Sequence, residues 1–206
     1  MNLNKENNFR IIKQSSVTIP CYFFGFFKSP GLEKYPNLPW VNDDYQLIKT
    51  KNLNDADCLK IANNLFLVGQ KFNLFNDIDY FIMMPLKTTS VSSLEKIVLQ
   101  LIKLIAEKLE LKIQLINDAF LVKDYLKFWE NHLNLKQRKT EINNKIQFKK
   151  SYQHFFNHKK IIMIDDVVST GISLAEIAIN LQKFNQNLTI TALAYGSVYQ
   201  WEKIYR

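Results

Sequence analysis

Residues 161–173 read Ile161-Ile-Met-Ile-Asp-Asp-Val-Val-Ser-Thr-Gly-Ile-Ser173. Four consecutive apolar residues describe a strand buried on both faces. Two adjacent carboxylates, Asp165 and Asp166, follow where that strand is expected to leave its sheet. A hydroxyl-rich turn around Gly171 then opens an amphipathic helix at about 173–184, with Leu174, Ile177, Ala178, Leu181 and Phe184 on one face. The N–H groups at a helix start have no intrahelical acceptor and carry the positive end of the dipole. Ser169, Thr170 and Ser173 add hydroxyl donors, and Gly171 lets a ligand approach the backbone closely. Such a turn is a cup for a phosphate monoester. The two carboxylates repel phosphate, so they suit a neighbouring diol or a bound Mg²⁺.

Phosphate, diol and metal in that order describe a ribose 5-phosphate carrying a pyrophosphate arm. The stretch resembles the 5-phosphoribosyl-1-pyrophosphate (PRPP) signature of the type I phosphoribosyltransferases. That signature is four hydrophobics, two acids, two hydrophobics, then Thr/Ser-Thr/Ser-Gly-x-Thr/Ser, and every position from Ile161 to Ser173 fits. The resemblance implies that Asp165 and Asp166 bind the ribose hydroxyls, directly or through Mg²⁺. It implies that Ser169, Thr170, Gly171, Ile172 and Ser173 cradle the 5′-phosphate. It further implies transfer at the anomeric carbon to a nucleobase or other nitrogenous acceptor, with pyrophosphate leaving on Mg²⁺. Other origins for the motif fit less well. A response-regulator acid pocket belongs to the first strand of its domain, whereas this pair lies near the C-terminus; a P-loop needs GxxxxGK[ST], which the sequence lacks.

Working outward, the layout is similar to the ComF-like branch of that superfamily, without the branch's N-terminal zinc ribbon. The order is Tyr45-Gln-Leu-Ile-Lys49, a helix over about 54–72, a strand at Ile78–Met84 ended by Pro85, and a helix over 94–110. The basic segment Leu135–Phe148 also resembles the branch, with Asn143 and Phe148 in place. The loop after the Pro-ended strand departs from it, reading Lys87-Thr-Thr-Ser-Val-Ser-Ser93. In type I enzymes this loop helps to hold pyrophosphate, so Lys87, Thr88 and Thr89, with Ser90, are candidates for that role.

The helices rest on periodicity. Cys58, Ile61, Ala62, Leu65, Phe66 and Gly69 share one face, as do Leu94, Ile97, Val98, Leu101, Ile102, Ile105, Ala106 and Leu109. Strand candidates follow at 112–116 and 188–195, and the aromatic run Tyr22–Phe27 favours a strand or hairpin arm. Strand–helix–strand alternation predicts an α/β fold, a mainly parallel sheet flanked by helices, whose ligands bind beyond the carboxyl ends of the strands. The expected division is a small β-rich N-terminal hood or appendage over 1–44 and a phosphoribosyltransferase-like domain over 45–206.

Charge and cysteine usage bound the function classes. The net charge is +8, and residues 101–160 hold 13 Lys/Arg against 6 Asp/Glu. That basic stretch suits nucleic acid, a polyphosphorylated small molecule or a plain solvated face equally well. A basic segment over 123–150 that closes on pyrophosphate and an ordinary solvated segment are both compatible with the pattern. Cys21 and Cys58 sit in no CxxC pair and read as reduced, and no apolar run has the length of a membrane span. A cytoplasmic location is expected, and a homodimer is one compatible assembly. His132, His154 and His158 form neither a nucleophilic triad nor a metal site. Trp129, Trp201, Tyr199 and the aromatic N-terminus are candidates to line a base-binding hood. Two function classes emerge: a PRPP-dependent pentosyltransferase (or PRPP hydrolase), and a PRPP- or nucleotide-binding module acting in regulation or a DNA- or RNA-linked process.

Overall fold

The computed structural model describes residues 8–28, 40–50, 53–85, 93–124, 131, 133–143 and 145–199. Six strands form the main sheet in the order β1 (Phe9–Gln14), β2 (Val17–Phe27), β8 (Thr189–Val198), β7 (Lys160–Val168), β3 (Tyr80–Met83), β4 (Gln114–Ile116). Every pairing is parallel except β1 with β2. The segment expected as a hood thus supplies two strands of the sheet itself. The reason is compositional: Ile19, Cys21, Phe23, Phe24 and Phe27 are all buried, so β2 has apolar groups for both faces and cannot be left outside.

Helices cover both faces. On one side lie α1 (Asn42–Thr50), α2 (Asp55–Lys71) and α3 (Ser93–Leu109), whose apolar stripes meet Phe81, Ile162, Ile164, Leu193 and Tyr195. Asn54 caps α2 by accepting the Asp57 N–H at 2.8 Å, and Asp55 and Asp57 favour the positive end of its dipole. The Tyr195 hydroxyl donates to Asp44 at 2.6 Å and accepts from Asn64, tying α1 and α2 to β8; burial and the Asp44 carboxylate raise its pKa.

On the other face lies α5 (Ile172–Phe184), covered by a small two-stranded antiparallel sheet, β5 (Phe120–Val122) with β6 (Ile146–Phe148), and by α4 (Leu135–Ile142). Over its described part the basic region packs through its apolar residues and Arg138, while Lys136 and Lys139 stay exposed. Asn134 and Gln137 form a reciprocal capping box, Arg138 and Ile142 turn inward, and Phe148 stacks on Phe184 at 6.0 Å. His154 and His158 are exposed in the turn leading to β7, as their isolation suggests.

Where β3 and β7 begin, Asp79 accepts the Lys160 N–H at 2.8 Å and the Lys159 ammonium at 3.0 Å. Partial burial alone would raise its pKa, but these bonds and the two positive charges outweigh it and hold the carboxyl below its ordinary value. A depressed folded-state pKa gives stability that is complete above the unfolded value and is lost as pH falls through the folded one. Urea unfolding followed below about pH 4 should show part of the acid destabilisation disappearing in Asp79→Asn. An identical pH profile in that variant would remove Asp79 from the strand-end contact.

Candidate functional site

β7 does not stop at Ile164, as its sequence suggested, but keeps pairing with β8 through Val168↔Ser197. On its other side, among the described residues, the last backbone bond comes from the Met84 N–H, just past β3, which donates to the Ile164 carbonyl at 3.0 Å. In a continuing parallel ladder the Asp166 N–H would reach the next β3 carbonyl. Instead it donates to Asp165 Oδ1 at 2.9 Å, and the Val167 N–H donates to Asp166 Oδ1 at 2.7 Å. The acid pair thus takes up strand N–H groups just past the last described β3–β7 pair. Both carboxylates are half-buried there, at the carboxyl end of the parallel strands.

The sheet also changes phase at this level. Ile162 and Ile164 pack on the α2/α3 side and Ile161 and Met163 on the α5 side, yet Val167 returns to the first and Val168 to the second. Strict alternation would give the reverse. β2 and β8 shift likewise, since Phe24 and Phe27 share a side, as do Tyr195 and Val198. The offset between the strands is kept, but Phe24 and Asp166 drop out of the pairing opposite Tyr195, and it resumes at Gly25↔Gly196 and Val167↔Gly196. A Cβ at Gly196 would lie 2.6 Å from Val41 and 3.1 Å from Val167, so the missing side chain leaves that row its room.

Beyond Val168 the loop closes on α5. Gly171 is its N-cap, at φ 77°, and supplies no side chain to bond the first-turn N–H groups. A Cβ there would sit 2.8 Å from three carbons of Ile12, so β1 packs directly on the turn. Thr170, Gly171 and Ile172 are buried, while Ser169 and Ser173 are half-exposed. The structure therefore brings Asp165, Asp166 and residues 169–173 together on one strand–turn–helix unit. Lys87, Thr88 and Thr89 lie outside the described residues, as do His132, Trp129 and Trp201.

Two site residues were missed in the sequence. Arg138, only 1% exposed, donates from Nη1 to Ser169 Oγ at 3.2 Å and from Nε to the Leu133 carbonyl at 2.7 Å. Arg10 of β1 donates from Nη1 to the Ser169 carbonyl at 2.7 Å and to Ser197 Oγ at 3.2 Å. The Asn134–Gln137 capping pair and the Arg138–Ile142 spacing signalled an inward-facing Arg138; nothing local marked Arg10. Cys21 lies near both charges of the site. Its thiol is pushed up to about 12, mainly by burial, with Arg10 opposing and Asp165 adding.

An aromatic group lies at the same end of the sheet. Phe26, Trp40 and Tyr199 have ring centroids 5.5–6.4 Å apart, and Phe26 is level with Ser197 and hence with Val168. Of the aromatics named for a hood, Tyr199 and, from the N-terminal run, Phe26 lie here, whereas Tyr22, Phe24 and Phe27 pack on Phe72, Tyr195 and Tyr45 on the α2/α3 side. Among the described residues no group of three or more His, Cys, Asp or Glu could hold a metal ion, and no helix is long and apolar enough to cross a membrane.

No protein-family model matches the chain, and no curated protein matches it in sequence. Among solved structures it is similar to hypoxanthine-guanine phosphoribosyltransferase from Schistosoma mansoni in complex with IMP, at 6% identity and TM-score 0.35, over 70% of this chain and 65% of that one. It is also similar to a hypoxanthine phosphoribosyltransferase from Staphylococcus aureus, at 17% identity and TM-score 0.42, over 72% and 76% of the two chains. The chain thus spans just under two thirds of the schistosome enzyme.

Gly171→Ala should destabilise the protein by about 2–3 kcal/mol, because a left-handed residue gains a Cβ that also meets Ile12. A chemical-denaturation midpoint unchanged from the parent would refute this packing of β1 on the turn.

Proposed function

We propose that the protein binds PRPP with Mg²⁺ at the turn after β7 and transfers its phosphoribosyl group to a nitrogenous base, releasing pyrophosphate. The observation that carries this reading is the uncapped N-terminus of α5, opened by Gly171 at φ 77° and directly preceded by the half-buried Asp165–Asp166 pair. The N–H groups of residues 171–174 suit the 5′-phosphate, with the hydroxyls of Ser169, Thr170 and Ser173 around them. Asp165 and Asp166 suit the ribose 2′- and 3′-hydroxyls as acceptors. Their negative charge also favours the positive character that develops at the anomeric carbon as the leaving group departs. Holding the ring by phosphate and diol together fixes that carbon relative to the acceptor.

The donor set fits Mg²⁺ of the kind that takes one or two carboxylates and completes its shell with water and phosphate oxygens. Asp165 and Asp166 would hold it, and when bound it would neutralise charge on the pyrophosphate. Among the described residues no third acid or His stands beside these two carboxylates to complete an all-protein cage. Phe26, Trp40 and Tyr199 offer faces against which a planar acceptor could stack.

Thermal unfolding with PRPP tests the reading. Ligand at about 100 times its dissociation constant stabilises by about 2.7 kcal/mol, which for this length raises the midpoint by roughly 5–10 °C. The shift should need Mg²⁺, vanish with EDTA, and be lost in the double variant Asp165→Asn/Asp166→Asn. Equal shifts in that variant would overturn the site assignment. A shift without pyrophosphate release on any base would identify a PRPP-binding module instead of a transferase.

A further inference from the structure

The two guanidinium groups at Ser169 come from β1 and from α4, and they hold different atoms of that residue. Arg10 takes the main-chain carbonyl, and Arg138 takes the side-chain oxygen. A guanidinium has only hydrogens to give. The bond from Arg138 therefore occupies a lone pair of Ser169 Oγ, and the hydroxyl hydrogen is left for an acceptor elsewhere. Because the incoming bond is charge-assisted, it also makes that O–H a stronger donor. With the Ser169 peptide fixed by Arg10, both the place and the polarity of the hydroxyl are set before a ligand arrives. Arg138 is held in its turn by the Leu133 carbonyl and by burial, so the arrangement is rigid at its source.

Charge supports the same direction. Two cations stand beside the turn that opens α5, whose dipole is positive at that end. The acceptor that completes this grouping best is an anion with several oxygens.

We propose that Arg138 is a positioning residue of the phosphate site, turning Ser169 into a hydrogen-bond donor for a phosphate monoester, with Arg10 fixing the Ser169 peptide. This rests on the phosphate site described above and adds to it a relay from α4. The relay predicts a coupling. Removing Arg138 costs more phosphate affinity while Ser169 carries its hydroxyl than once that hydroxyl is gone.

Calorimetric titration of the full chain with ribose 5-phosphate, in a double-mutant cycle, tests this. Ser169→Ala and Arg138→Met should each weaken binding about tenfold, the size expected for one hydrogen bond to a charged group. The double variant should lose clearly less affinity than the product of the two single losses. Arg138→Lys keeps the cation and loses the fork; it should bind ribose 5-phosphate more tightly than Arg138→Met, and that advantage should shrink once Ser169 is Ala. Should Arg138→Met not fold, the Lys variant closes the cycle. Losses that multiply, or wild-type affinity in Arg138→Met, would overturn the relay while leaving the phosphate site standing. Absence of ribose 5-phosphate and PRPP binding by the unmodified chain would overturn the site itself.

Discussion

A parallel strand whose ladder with one neighbour outlasts its ladder with the other is held beyond that point by one side. Among the described residues β7 is in that position, paired with β3 to Ile164 and with β8 to Val168. The β8 ladder keeps its backbone fixed to Val168, so the turn that follows starts from a rigid origin. The β3 side is where the ladder ends, and there the Asp165 and Asp166 carboxylates take the strand's own N–H groups. Rigid support on one side and polar side chains on the other are what a strand-end site needs. Everything proposed about ligand chemistry depends on that asymmetry.

The surrounding architecture serves the same end of β7. β2 and β8 extend as far as β7 does and shift phase with it; pairing lapses opposite Tyr195 and resumes with the same offset at the row of Gly25, Gly196 and Val167. β1 then reaches the turn from the sheet's edge. Its Ile12 fills the space that a side chain at Gly171 would need, and its Arg10 bonds Ser169. From the opposite direction, the β5–β6 pair and α4 cover α5 and deliver Arg138. Most of the residues that shape the turn are thus remote from it in sequence. This explains why a short motif needs so much chain around it.

The legible parts of the sequence were those whose signal is local. Helical spacing in 58–69 and 94–109 and the apolar run 161–164 anticipated α2, α3 and β7. The hydroxyl–glycine turn placed the start of α5 to within a residue, because a left-handed cap and a polar turn are written in neighbouring residues. What could not be read depends on pairing at a distance. That β2 joins β8 within the sheet follows from a partner some 170 residues later in the chain. The extension of β7 past Ile164 runs through two acids, which local propensity disfavours and the β8 ladder overrides. Arg10 looks like a surface charge until the sheet brings it to Ser169, and Arg138, although its helix spacing faces it inward, shows its partner only once α4 is packed on α5. The loop at Lys87–Thr89 lies outside the described residues and keeps the status of an expectation from sequence.

The central claim is that the turn from Ser169 to Ser173 is a phosphate-monoester site, and amide chemical shifts test it residue by residue. In a ¹H–¹⁵N titration with ribose 5-phosphate, the amides of residues 170–174 should move together and saturate along one binding curve. Those of the exposed lysines on α4, Lys136 and Lys139, should stay in place. Saturating shifts confined to the lysine surface, with residues 170–174 unmoved, would contradict the account.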